Sequence, residues 1–169
     1  DAVTTQTRRV QPLAEVRVDL PIDAHVPHDY VDGERLRLEA YRKIAEAGDS
    51  AGLEAVVEEL KDRYGEPPQP VLNLLAVARF RQLCRSLGLA EVAVAGTMIR
   101  IGPLDLPDSK QMRFKRMHPK GQYKPAARLV AVPKPTVGNR IGGAPLRDLE
   151  LLDWLTALVE DLATPVPVA

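Results

Sequence analysis

Residues 70–88, PVLNLLAVARFRQLCRSLG, are apolar around most of a helical circumference. A helix with one apolar stripe can sit on a surface, but one that is apolar on most sides needs neighbours on several sides. This stretch is therefore a central helix. Pro70 suits its first turn, where the missing N–H would find no helical partner, and Gly88 ends it. With 169 residues, 45% of them apolar, the chain buries about two-thirds of its unfolded surface, enough for one compact domain with a core. Cys84, the single cysteine, lies inside the same pattern. It reads as packing, permits no internal disulfide and fits a reducing compartment.

The elements around the central helix follow from periodicity. Val16, Val18 and Leu20 alternate with Arg17 and Asp19, as in a half-buried strand, and Pro21 and Pro27 bracket its exit. From Val31 the spacing becomes helical: Leu38, Tyr41, Ile44 and Ala45 share a face, and Gly48 supplies a stop. Asp49 or Ser50 caps a second helix with the stripe Leu53, Val56, Val57, Leu60 and Tyr64, closed by Gly65 and Pro67-Pro68. After Gly88, β-branched residues on either side of Gly96-Thr97 predict a hairpin, with a further short strand at Leu104 to Leu106. Asp108 caps a basic helix, SKQMRFKRM, and ARLVAVP reads as one more strand. PKPTVGNRIGGAP is too rich in Pro and Gly to pack well and reads as a linker before an acidic amphipathic helix, LRDLELLDWLTALVEDL. The expected fold class is α+β: helices packed on a small mixed or antiparallel sheet, plus this C-terminal amphipathic helix.

The formal net charge is zero, but the charges are segregated. Residues 29–66 hold eleven acids against six bases; residues 109–147 hold ten Lys or Arg and no acid; residues 148–169 hold five acids and no base. Such blocks pair within the fold or bind partners. Lys110, Arg113, Lys115, Arg116 and Lys120, followed by Lys124 and Arg128, with Phe114 and Tyr123 interleaved, are candidate nucleic-acid contacts through phosphate neutralisation and base stacking. The competing reading is a solvated or internally paired face in which Met112, Phe114 and Met117 are the buried side. The apolar stripe of the final helix, Leu149, Leu152, Leu155 or Trp154, Val159 and Leu162, must also be covered, by docking on the basic segment, by self-association or by another part of a longer protein.

Catalysis finds little support. No glycine-rich loop leads to Lys-Ser or Lys-Thr, and GNRIGG lacks dinucleotide spacing. His25 and His28 are three apart, but Pro27 between them argues for a loop rather than a metal-binding helix, and His118 is expected to face water. No catalytic residue, metal or cofactor is assigned. With no apolar run of about 18 residues and no signal-peptide pattern, the expected location is cytoplasmic, without membrane contact. The chain opens on Asp1 rather than methionine, as an excised part of a longer protein would.

The end of the second helix is the most distinctive corner. Glu59 and Asp62, three apart, project from one helix face while Leu60 and Tyr64 point to the core side. Carboxylates near a helix C-terminus oppose the helix dipole at a cost of a few tenths of a kcal/mol to about 1 kcal/mol, which a partner arginine would offset and which Lys61 and Arg63 could also screen. Two spacings stand out: R-L-x-x-Y-x-[KR]-I-A at Arg37 to Ala45, and E-L-x-D-R-[FY]-G-x-x-P at Glu59 to Pro68. With VRVDLPIDAHVPHDYV before them, they resemble the C-terminal domain of bacterial transcription-repair coupling factors over about residues 14–135. That leaves residues 1–13 as a linker and 136–169 as a Pro/Gly linker with an acidic helix extension.

The resemblance implies a non-catalytic, autoinhibitory interaction domain. It would cover the N-terminal repair-factor-binding module of its own protein and restrain an ATP-driven DNA translocase in transcription-coupled nucleotide excision repair. ATP and Mg, RNA polymerase, DNA and the excision-repair damage-recognition protein would then belong to the parent protein. Glu59, Asp62 and Arg63 would form the interdomain interface, and Tyr64, Gly65, Pro67 and Pro68 would hold its turn. A nucleic-acid-binding module using residues 110–128 is the alternative.

Overall fold

The expected central helix is α3, Gln69–Ser86, and it serves two buried clusters at once. The computed structural model describes residues 15–164; the linker expected at residues 1–13 lies outside them. In chain order the other elements are β1 (Arg17–Asp19), α1 (Glu34–Glu46), α2 (Ser50–Tyr64), β2 (Glu91–Ala95), β3 (Met98–Gly102), α4 (Asp108–Met117), β4 (Gln122–Lys124), β5 (Leu129–Pro133), a 3-10 turn (Val137–Asn139) and α5 (Asp148–Ala163). The class is α+β. The strands form one five-stranded sheet in the order β1-β2-β3-β5-β4. Only the β1–β2 pair is parallel, so the sheet is mixed.

One cluster is helical: Val71, Leu75 and Ala78 of α3 meet Ala40 and Ile44 of α1 and Leu53, Val57 and Leu60 of α2. The other lies on the sheet, where Phe80 and Cys84 of α3 join Val92, Ile99, Ile101, Val130 and Val132. Burying a side chain such as Leu75 stabilises by about 1.5–3 kcal/mol, so a helix invested in both clusters is hard to displace. Asn73, the one polar residue among the buried ones described, is satisfied: its amide donates to the Asp23 carbonyl at 3.0 Å and its oxygen accepts from Gln69 at 2.9 Å. Burial pushes the Cys84 thiol up to about 12, which makes it a packing group rather than a nucleophile.

Helix α5 closes the second cluster. Leu151, Leu152, Leu155, Leu158, Val159 and Leu162 are buried in the same core as the sheet, and the helix packs on α3. Among the described residues, those after 135 therefore share a core with those before it. The segment expected to be a loose linker is held by backbone hydrogen bonds, Val137 N–H to the Ala144 carbonyl at 2.8 Å and Leu146 N–H to the Pro135 carbonyl at 3.0 Å. Its glycines permit this tight turn, with Gly138 at φ 67° and Gly142 at φ 76°.

Several local expectations shift. On α1 the buried face is Ala40 and Ile44, while Leu38 is 60% exposed and Ala45 also faces solvent, because the helix starts at Glu34 and is rotated relative to the proposed stripe. Leu104 to Leu106 is not a strand; both leucines are buried, and the Leu104 N–H is taken by the Arg128 carbonyl at 2.8 Å. Pro107 occupies the cap position of α4, and Asp108 is instead an acid in its first turn, which still suits the dipole. Asp49 does cap α2, accepting the Gly52 N–H at 2.8 Å. Strand β4 was not visible in the sequence: three residues, Gln-Tyr-Lys, are too short and polar for an alternation signal.

Candidate functional site

The corner between α2 and α3 is set by three residues with limited backbone choice. Gly65 sits at φ 88°, where a side chain is strained, and its N–H closes the helix on the Lys61 carbonyl at 2.9 Å. Pro67 is buried, and the Pro68 carbonyl accepts the Val71 and Leu72 N–H groups at 3.0 Å each, starting α3. Tyr30 locks the turn from the loop before α1: its hydroxyl donates to the Gly65 carbonyl at 2.8 Å and lies 3.3 Å from that of Leu60. Burial raises the Tyr30 pKa, helped by the Glu66 charge. The Tyr30 and Tyr64 rings meet at 5.7 Å, and the Arg63 guanidinium lies 5.2 Å from the Tyr64 centroid, within cation–π range.

On this frame the two carboxylates have different circumstances. Glu59 is already paired across the α1–α2 groove: Lys43 Nζ approaches Oε2 at 2.5 Å, Arg63 reaches the same oxygen at 3.3 Å, and Lys43 also meets Glu39 at 3.2 Å. The Lys43 hydrogen bond holds the Glu59 carboxyl below the usual carboxylate range, while Glu59 and then Glu39 raise the Lys43 pKa. Asp62 is exposed and makes no hydrogen bond or ion pair among the described residues. The groove itself is lined by Leu36, Glu39, Lys43, Glu59 and Tyr64 among others and encloses only ≈ 10 Å³, roughly one water. It cannot take a small-molecule substrate. What the corner offers is a rigid charged surface on which Asp62, like Glu58 and Glu66, is exposed and in no ion pair among the described residues.

Tyr30, Lys43 and Glu39 are contributors that sequence reasoning missed. Lys43 stands within the quoted R-L-x-x-Y-x-[KR]-I-A spacing, but only the packing of α1 against α2 brings it to Glu59.

The basic segment is partly spent internally. Arg113 Nε meets both carboxylate oxygens of Asp161, at 3.1 and 3.2 Å, and Lys110 donates to the Asp161 backbone carbonyl, tying α4 to the end of α5. Arg128 makes a two-point contact with Asp105 at 2.8 and 2.6 Å and holds that carboxyl below its ordinary range. Lys115 reaches only the Gly121 carbonyl, at 3.4 Å; Arg116, Lys120 and Lys124 are exposed and in no ion pair among the described residues. Neither aromatic presents a free ring: Phe114 is 3% exposed, and Tyr123 is half-buried against the same core, its hydroxyl bonding the Leu106 N–H and Leu104 carbonyl at 3.0 Å each. Met112 and Met117 are exposed instead of forming a buried side with Phe114. His118 is half-buried rather than free in water. It lies between Phe114 at 5.3 Å and Trp154 at 5.9 Å, and burial lowers its pKa against the opposing pull of Asp161.

His25 bonds Asp23 at 2.9 Å in the exposed loop after β1. Among the described residues no three His, Cys, Asp or Glu side chains converge as a metal would require, and no helix is long and apolar enough to cross a membrane.

These features define an α+β domain whose most constrained surface is a clamped, charged turn between two helices. Comparison with known proteins gives the chain a family. The family model of the TRCF domain matches residues 20–114. The transcription-repair-coupling factors of Mycobacterium bovis and Mycobacterium tuberculosis are each 45% identical over 157 residues, covering 92% of this chain and 13% of the relative. That of Escherichia coli is 35% identical over 78 residues, 46% of this chain and 7% of the relative. The chain belongs to the transcription-repair coupling factor family, and it spans about one-eighth of the length of the mycobacterial relatives. The mycobacterial alignment, at 157 residues, is longer than residues 1–135 could supply. In fold the chain is similar to the crystal structure of the C-terminal domain of transcription-repair coupling factor, with a TM-score of 0.62 and 23% identity over 88% of this chain and 92% of that one.

Proposed function

We propose that this chain is a non-catalytic regulatory domain of a cytoplasmic transcription-repair coupling factor, and that it acts by covering the N-terminal repair-factor-binding module of the same protein. The parent would be an ATP- and Mg-dependent DNA translocase acting on stalled RNA polymerase and recruiting the excision-repair damage-recognition protein. The observation that carries the reading is Asp62: an exposed, uncommitted carboxylate on a turn fixed by Gly65, Pro67, Pro68 and Tyr30. A carboxylate on a fixed backbone suits a bidentate arginine, since only its own side chain remains to be ordered on binding. Glu59 has a second role. It holds Lys43 and Arg63, so an arriving arginine must compete with Lys43 for it.

Tethering makes a weak contact sufficient. Two modules on one chain meet at an effective concentration near ~1 mM, so a contact of about 10 µM covers the surface about 99% of the time and still reopens readily. The direct test is association of this chain with the N-terminal module by titration calorimetry. Asp62→Arg should weaken association by about tenfold or more, the cost of an unpaired and repelled arginine at a partly solvated contact. No association of the wild-type pair at about 0.1 mM, or equal binding by Asp62→Arg, sinks the proposal.

A further inference from the structure

A second surface lies at the edge of the sheet opposite β1. Strand β4 is the last in the sheet order, paired only with β5, and among the described hydrogen bonds none outside that ladder reaches the backbone of Gln122, Tyr123 or Lys124. Beside it runs α4, and between them lies an open cleft of ≈ 450 Å³ lined by Gln111, Phe114, Lys115, Gln122 and Lys124 among others. Gly121 lets the Phe114 ring pack directly on the backbone at the cleft wall, because a Cβ there would stand 2.7 Å from that ring.

No carboxylate lines this cleft, and its two ammonium groups are uncommitted to any acid among the described residues. Arg116 and Lys120 add positive charge nearby in sequence. We propose that the β4 edge and the flank of α4 form a docking site for an extended acidic peptide, which adds to the sheet as a sixth strand with its carboxylates on Lys115 and Lys124. The main-chain edge supplies ladder hydrogen bonds and the lysines supply selection. A lysine on an edge strand repels basic strands and discourages self-pairing, so the same residue that protects the edge chooses the sign of its ligand. An extended peptide fits better than a nucleic acid, because the open edge matches a peptide backbone and the site's aromatic groups are buried or hydrogen-bonded rather than available for stacking.

The probe is a fluorescein-labelled, N-acetylated heptapeptide of alternating Glu and Val, titrated into the whole chain by anisotropy, with backbone amide NMR to locate it. Binding should be saturable below about 1 mM, with the largest amide shifts at residues 121–124 and on α4. The Lys115→Glu/Lys124→Glu variant should weaken it about tenfold, as should a peptide whose central valines are proline and cannot donate to a ladder. Both lysines are exposed and in no ion pair among the described residues, and Lys115 gives up only its 3.4 Å contact to the Gly121 carbonyl and a favourable place at the helix end, so the variant's melting temperature should fall by no more than about 4 °C and serves as its folding control. The proposal fails if the peptide does not saturate, if the proline peptide binds equally well, if the shifts fall elsewhere, or if a twelve-residue oligothymidylate binds more tightly through the same lysines.

Discussion

Leu155→Ala tests whether α5 belongs to the core or merely hangs from it. Leu155 is 0% exposed at the middle of α5 and lies in the same buried cluster as the sheet and α3. Truncating a fully buried leucine costs about 2–5 kcal/mol, the lost transfer energy plus a cavity that the neighbours fill incompletely. The helix is pinned by five other buried apolar residues and by Asp161, so it cannot collapse freely into the gap, and we expect about 3 kcal/mol. For a domain of this size each kcal/mol moves the melting temperature by about 2–4 °C, so the drop should be about 6–12 °C. Leu149 on the same helix is 38% exposed, and Leu149→Ala should cost about 1 kcal/mol or less. Thermal melts followed by circular dichroism and by Trp154 fluorescence should coincide as one transition in both variants. A Leu155→Ala shift under about 2 °C, or a separate early transition seen only by Trp154, refutes the reasoning, because it would mean that α5 unfolds without disturbing the sheet.

Reversing Glu59 and Asp62 to lysine in the full-length parent should raise basal ATPase and expose repair-factor binding; unchanged values for both would remove the corner from the proposed contact. Gly65→Ala should cost about 1–3 kcal/mol in a chemical melt, purely from the backbone, because φ 88° with ψ −169° is essentially reserved for glycine and a Cβ there would meet nothing within 4 Å. His118 has a folded pKa below its ordinary 6.5, so its contribution to stability is present above the unfolded value and is lost as pH falls through the folded one. The melting temperature should therefore decline on acidification from about pH 7 to 5, less steeply in His118→Asn, and a Trp154 fluorescence titration with a midpoint above 6.5 would contradict the buried placement. Cys84 should resist thiol reagents at neutral pH until the protein unfolds, given a thiol pushed up to about 12.

The parts of this fold legible in the sequence were those with strong local signals. The breadth of the apolar surface on α3 announced its central place, Asp49 announced its cap, and Gly96-Thr97 announced its hairpin. The Glu59 to Pro68 spacing drew attention to the corner because Gly65 and the prolines constrain the backbone wherever they stand. What stayed hidden depends on distant partners. Leu38 looked like a core residue because hydrophobicity marks candidates for burial without fixing the helix rotation, which Ala40 and Ile44 decide against α2. The commitment of Glu59 to Lys43 required two helices to pack side by side. The tight turn at residues 137–143 reads as loose by composition, since glycine serves an ordered left-handed backbone and a disordered one equally well.

Strand β1 pairs in parallel with β2, and their contacting side chains, Arg17 and Glu91, are 74 positions apart with three helices between them. On a ribosome adding about 5–20 residues per second, the first strand waits about 4–15 s for its neighbour to be made. Helices α1 and α2 are complete within that interval, and their mostly local contacts allow them to condense before any sheet exists. The order of emergence thus makes the helical half a platform on which the nascent sheet is later assembled, with β1 left without its strand partner until Glu91 arrives.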